Sequence, residues 1–140
     1  MSMDLQRFHA TFFEESREGL DAMEAGLLAL ESGQQDAEII NSVFRAAHSI
    51  KGGAGAFGFD ALVGFAHRFE TVLDQLRAGK LALTPEATRL FIQGADLLHD
   101  HIRAAQYDEP PPAGAEPMLA ALEALMGDAA PVEDEPVDFT

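Results

Sequence analysis

Phe44-Arg-Ala-Ala-His48-Ser-Ile-Lys51-Gly-Gly-Ala-Gly-Ala-Phe-Gly58 is the stretch on which both fold and function turn. Extended back to Asp36, it carries Ile40, Val43, Phe44, Ala47, Ile50 and Ala54 inward at steps of three and four. That spacing lines apolar side chains along one face of a helix. Asp36 is a good N-cap and Gly58 a good stop, so a helix is predicted between them. His48 lies beside the apolar stripe rather than in it, and Lys51 follows at i+3, on the same side at a Cβ separation of about 5–6 Å. A polar ring with a nucleophilic nitrogen, set among small residues, is a group that another protein can approach. His48 is therefore read as a phosphoryl acceptor, with Lys51 placed to offset the charge of an arriving phosphoryl group.

The same period runs outward in both directions. About Asp4 to Leu30, Leu5, Phe8, Phe12, Leu20, Met23, Leu27 and Leu30 form a stripe, and Gly33 is the expected stop. After Asp60, Leu62, Phe65, Ala66, Phe69, Val72, Leu73 and Leu76 form another, closed by Arg77 and Gly79. Thr84-Pro85-Glu86 opens a fourth, which runs through Leu90, Phe91, Ala95, Leu98 and Ile102. Tyr107 to Pro117 reads as a proline-rich loop, and Met118, Leu119, Leu122, Leu125 and Met126 as a short fifth helix. No period-2 run bounded by hairpin signals occurs. The expected fold is all-α: an antiparallel up-and-down four-helix bundle with a short fifth C-terminal helix, because short connections make successive helices neighbours.

One domain over residues 1–126 is expected from the length of 140, followed by an acidic, proline-bearing linker or disordered tail over 127–140. Cysteine is absent, which excludes disulfides, thiolate metal sites and cysteine nucleophiles. The net charge of −15 opposes binding to nucleic acid or an anionic membrane surface. With no apolar run long enough for a signal peptide or a membrane span, a cytoplasmic, monomeric domain is the expectation.

Two motifs invite other chemistry. Gly53-Ala-Gly55-Ala-Phe-Gly58 matches the dinucleotide-binding fingerprint in letters, but that loop works only between a strand and a helix N-terminus, and here helix precedes it. The glycines cost about 0.5–1 kcal/mol each inside a helix, so either close packing or clearance beside His48 has to offset them. His9, His48, His67, His99 and His101 raise the question of a metal, yet the paired Glu-x-x-His motif of bundle metal sites does not occur. His9, His99 and His101 are read as surface or rim residues.

A second pair, His67 and Glu70, follows on the next helix. In an antiparallel hairpin turning near Gly58 and Phe59, His48 stands about 10 residues before the turn and Glu70 about 11 after it, at nearly equal height. A carboxylate accepting the Nδ1 proton would leave Nε2 with the free lone pair. The alternative is a surface glutamate satisfied by Arg68 or water, within a purely structural helical interaction module.

These residues carry a family likeness. The stretch from Phe44 to Phe59 resembles the phosphorylation segment of the N-terminal phosphotransfer domain of CheA-type chemotaxis histidine kinases. Leu62 to His67, and Glu70 through Leu73-Asp74 to Arg77, resemble that domain's next helix, and Met-Ser-Met-Asp4 with Phe12-Phe13 its start. The resemblance implies that His48 accepts the γ-phosphoryl of ATP from a separate kinase ATP-binding domain and donates it to an aspartate on a response-regulator receiver domain of CheY or CheB type. It implies further that Glu70 orients the imidazole, that Lys51 and His67 assist around the phosphoryl group, and that Arg45, Ser49 and Gly52 belong to the docking surface. No cofactor is expected on this domain itself, ATP and magnesium being held by partner domains.

Overall fold

The computed structural model describes residues 3–127, and the expected tail lies, Gly127 apart, outside them. Five helices form: α1 (Met3–Glu31), α2 (Ala37–Phe57), α3 (Asp60–Arg77), α4 (Pro85–Gln106) and α5 (Ala115–Ala124), with no strand among the described residues. Each of α1 to α4 packs on its successor, and α4 returns to α1, closing a ring of four. The pairing is antiparallel throughout. On α1 and α2, Gly26 faces Val43, Gly19 faces Ala46 and Ile50, and Phe12 faces Gly53, so ascending numbers meet descending ones. Between α3 and α4, Phe65 meets His101 and Phe69 meets Phe91 in the same sense. The fifth helix lies across α3 and α4.

The helix ends follow local chemistry. Asp36 accepts a hydrogen bond from the Glu38 N–H at 2.9 Å, and Thr84 Oγ1 accepts one from the Ala87 N–H at 3.0 Å with Pro85 just inside the helix. Gly58 adopts φ 75°, which lets the Phe59 N–H reach back to the Ala54 carbonyl at 3.0 Å. A side chain with a Cβ would be strained there. The tight α2–α3 turn that results sets the register of His48 against α3.

Four sequence expectations need correction. The Tyr107–Pro117 loop is shorter than expected because α5 starts at Ala115, and Pro117 sits in its first turn, where N–H groups lack intrahelical partners anyway. The fifth helix ends at Ala124, so Leu125 and Met126, expected within it, lie just past its end. Leu5 and Phe8, placed on the inward stripe, are 39% and 61% exposed. The α2–α3 turn packs against His9, Phe12 and Phe13, so α1 outruns the bundle N-terminal to them. Finally, His101 is no rim residue but is buried.

Phe69, Phe91, Met23, Leu27, Leu62, Leu73, Leu98 and Ile102 are fully buried and make the bundle core. Leu119 and Leu122 of α5, with Met126 just past its end, join it. Arg68 clamps α5 from outside, its Nη2 and Nε on Glu123 at 2.7 and 2.8 Å and Nη1 on Glu116 at 2.8 Å. This fork makes Arg68 unavailable to Glu70.

His101 is the one buried side chain among the described residues with an unpartnered polar atom, Nε2, and its ring stands 4.6 Å from that of Phe65. Burial pushes its pKa below the ordinary 6.5, against the opposing field of Asp100. A histidine depressed in the folded state contributes stability above the unfolded value near 6.5 and loses it as pH falls through the folded value. Thermal melts from about pH 7.5 to about 5.5 are expected to drop more steeply for the wild type than for His101→Phe. Parallel curves would show that His101 takes up its proton without cost.

Candidate functional site

His48 leaves α2 about halfway along the helix with its side chain 62% exposed, while Glu70 on α3 is 9% exposed. The imidazole Nδ1 and Glu70 Oε2 form a short hydrogen bond across the two helices. Glu70 Oε1 takes an ion pair from Lys51 Nζ at 2.5 Å. Burial alone would raise the Glu70 pKa, but the hydrogen bonds from Lys51 and His48, reinforced by their charge, outweigh it and hold the carboxyl below its ordinary value. An ionised carboxylate can only accept, so in the neutral ring Nδ1 carries the proton and Nε2 the lone pair. An exposed ring with a defined nucleophilic nitrogen is thereby produced by one buried acid.

Lys51 is engaged differently from the expectation. Its ammonium is bound to Glu70 and 26% exposed, so its first effect is to keep that carboxylate charged and oriented. His67 is exposed, one turn before Glu70, and its ring makes no hydrogen bond or ion pair among the described residues. Arg45, Ser49 and Gly52 are all exposed on α2. Arg45 and Ser49 line an open groove of about 800 Å³ between α1 and α2, floored by Phe12, Ile50 and Phe57 and rimmed by Glu15 and Glu18. No group of three or more His, Asp or Glu side chains close enough to hold a metal ion occurs among the described residues.

The glycines after His48 divide into two kinds. A methyl group on Gly53 would stand 2.5 Å from the Phe12 ring, whereas one on Gly52 or Gly55 would meet nothing within 4 Å. Close packing therefore explains Gly53, and clearance is left for Gly52 and Gly55. Gly53→Ala is expected to destabilise by about 1–3 kcal/mol, because the Phe12 ring is hemmed by Phe13, Phe57 and Phe59. Gly52→Ala should stabilise by about 0.5–1 kcal/mol. Urea unfolding midpoints of the two variants test this, and shifts of the same sign would refute the division.

Phe44 also belongs to the site. It is half-buried and packs against the core from the stripe, and its ring also lies 6.1 Å from that of His48, nearly parallel at 13°, with the Arg77 guanidinium carbon 4.0 Å from its centroid. An aromatic residue at i−4 from His48 was the available signal. The reach of Arg77 from the end of α3 was not visible in any local pattern.

Comparison with known proteins places this geometry in context. A model of the Hpt domain family matches residues 7–108. The chemotaxis protein CheA of Rhizobium meliloti (strain 1021) is 48% identical over 104 residues, covering 74% of this chain and 14% of that protein. That of Salmonella typhimurium LT2 is 44% identical over 113 residues, covering 81% and 17%. The chain thus spans less than a fifth of the length of these curated relatives. The phosphorylated P1 domain of CheA3, solved with CheY6 from R. sphaeroides, superposes with TM-score 0.77 at 25% identity, covering 86% of this chain and 95% of that one. The solution structure of the histidine phosphotransfer domain of CheA gives 0.73 at 26% identity, covering 88% and 92%.

Proposed function

The chain belongs to the Hpt domain family, and from that premise we propose that His48 is the phosphoryl carrier of a chemotaxis phosphorelay. The observation that carries the reading is the contact between Glu70 and Nδ1 of an exposed imidazole. Nε2 attacks the γ-phosphorus of ATP held with magnesium by the catalytic domain of a CheA-type kinase. The Nε2–P bond forms as the bond from phosphorus to the ADP oxygen breaks. The ring, keeping its Nδ1 proton, takes up positive charge, which the Glu70 carboxylate stabilises where it develops. In the second half-reaction a receiver-domain aspartate attacks the phosphorus, and the electron pair of the N–P bond returns to Nε2. The proton on Nδ1 makes the departing nitrogen that of a neutral imidazole, so one carboxylate serves both directions.

ATP as the donor implies a cytoplasmic setting, and no described helix is long and apolar enough to cross a membrane. The α1–α2 groove, with Arg45 and Ser49 on its wall and Gly52 beside the ring, is the docking face in this reading. Its apolar floor supplies area, and the small residues let a receiver domain bring its aspartate close. In this reading His67, exposed one turn from Glu70, assists by meeting the phosphoryl oxygens once they are present.

The test is two-stage. The chain is incubated with a CheA-type catalytic domain, magnesium and labelled ATP, and then with a CheY-type receiver domain. Acid-labile label should appear on the chain and leave it when the receiver is added. A chain that stays unlabelled beside a labelled CheA domain would return the reading to a structural interaction module.

A further inference from the structure

We infer that Phe44 and Arg77 form a positioning pair for the His48 ring, an inference that rests on the phosphoryl-carrier reading of His48. One hydrogen bond, from Nδ1 to Glu70, fixes a single point of the imidazole and leaves the ring free to swing about that point. Phe44, one helical turn earlier on α2, presents its ring nearly parallel to the imidazole, with centroids 6.1 Å apart. That distance and angle lie in the offset-stacked range favoured by aromatic pairs. A second restraint, on the ring plane rather than on one nitrogen, results.

Phe44 is itself held. The Arg77 guanidinium lies over its ring at 4.0 Å from the centroid, a cation–π distance. Arg77 in turn is gripped by Asp74 Oδ1, at 2.5 Å from Nη2 and 3.2 Å from Nε. The last turn of α3 is thus connected to the imidazole through Asp74, Arg77 and Phe44, and Glu70 reaches the same ring from two turns earlier on α3. Phe44 is half-buried, whereas Arg77 is 43% exposed, so Arg77 adds little to the core. Its placement over an aromatic face is better explained by what that face then touches. Sub-ångström drift of a nucleophile is costly in an in-line displacement, which gives the restraint its value.

The experiment combines nitrogen NMR of the His48 imidazole with phosphorylation kinetics, on wild type, Phe44→Leu, Phe44→Tyr and Arg77→Gln. The wild type should show a single, sharp Nδ1–H tautomer. Phe44→Leu should broaden or mix the tautomer signals and slow phosphorylation at saturating kinase by about three- to tenfold with KM unchanged. Phe44→Tyr should restore both, and Arg77→Gln should fall between. A wild-type ring spectrum together with a wild-type rate in Phe44→Leu would overturn the inference, and so would a change confined to KM, which marks docking instead. Should Phe44→Leu lose its fold, surface-exposed Arg77→Gln carries the test, with an unchanged spectrum counting against the pair. A wild type that accepts no phosphoryl group would sink the carrier reading, while the tautomer spectra would still decide whether Phe44 holds the ring.

Discussion

Replacing His48 with glutamine is expected to reduce acid-labile labelling from a CheA-type catalytic domain to background, a loss of at least about a hundredfold. Glutamine is the informative choice because its side-chain amide can still donate to Glu70 Oε2, leaving the Lys51 ion pair in place. The wild-type side chain is 62% exposed, so the exchange should alter stability by no more than about 0.5 kcal/mol. The loss therefore reads the missing Nε2 lone pair and nothing else. His67, exposed one turn from Glu70, is the other imidazole near the site. Labelling that persists in His48→Gln and disappears in His67→Gln would move the acceptor there.

Glu70→Ala should cost about tenfold to a hundredfold in phosphorylation rate while the bundle stays folded. Two effects combine: Nδ1 loses the acceptor that fixes the tautomer, and the positive charge that develops on the ring loses its counter-ion. Glu70→Gln separates them, since its carbonyl still accepts from Nδ1 but carries no charge, and it should fall between the wild type and alanine. Stability carries a second signature. A carboxyl depressed in the folded state contributes stability above its unfolded value of 4.5 and loses it as pH falls through the folded value. Acid unfolding of the wild type should contain that component, and Glu70→Ala should lack it, while being about 1 kcal/mol less stable at neutral pH because Lys51 loses its partner. Identical rates for all three forms would leave Glu70 a structural acid only.

The His48–Glu70 contact was within reach of arithmetic on the chain. A helix rise of 1.5 Å per residue and a turn at Gly58 and Phe59 put the two residues level. The contact also needed the helices to be adjacent, which the short turn ensures. Lys51 illustrates the limit of that method. Its i+3 spacing placed it beside His48, but a flexible ammonium goes to the strongest acceptor in range, and Glu70 reaches it from another helix. Phe44 shows the same limit: the stripe places it against the core, where it packs, but its contact with Arg77 from the far end of α3 depends on how the two helices meet.

What the sequence determined by itself was local: helix periodicity, the Asp36 and Thr84 caps, the Gly58 stop and the order of elements follow from hydrogen bonds and packing within a few residues. Leu5, Phe8 and His101 were misplaced because burial depends on what stands opposite, and no window of sequence contains that. The bundle alone decided which glycine faces Phe12, which acid takes Lys51 and which ring lies against His48. These are distances between separate helices, set by the collective fit of their faces rather than by the residues along any one of them.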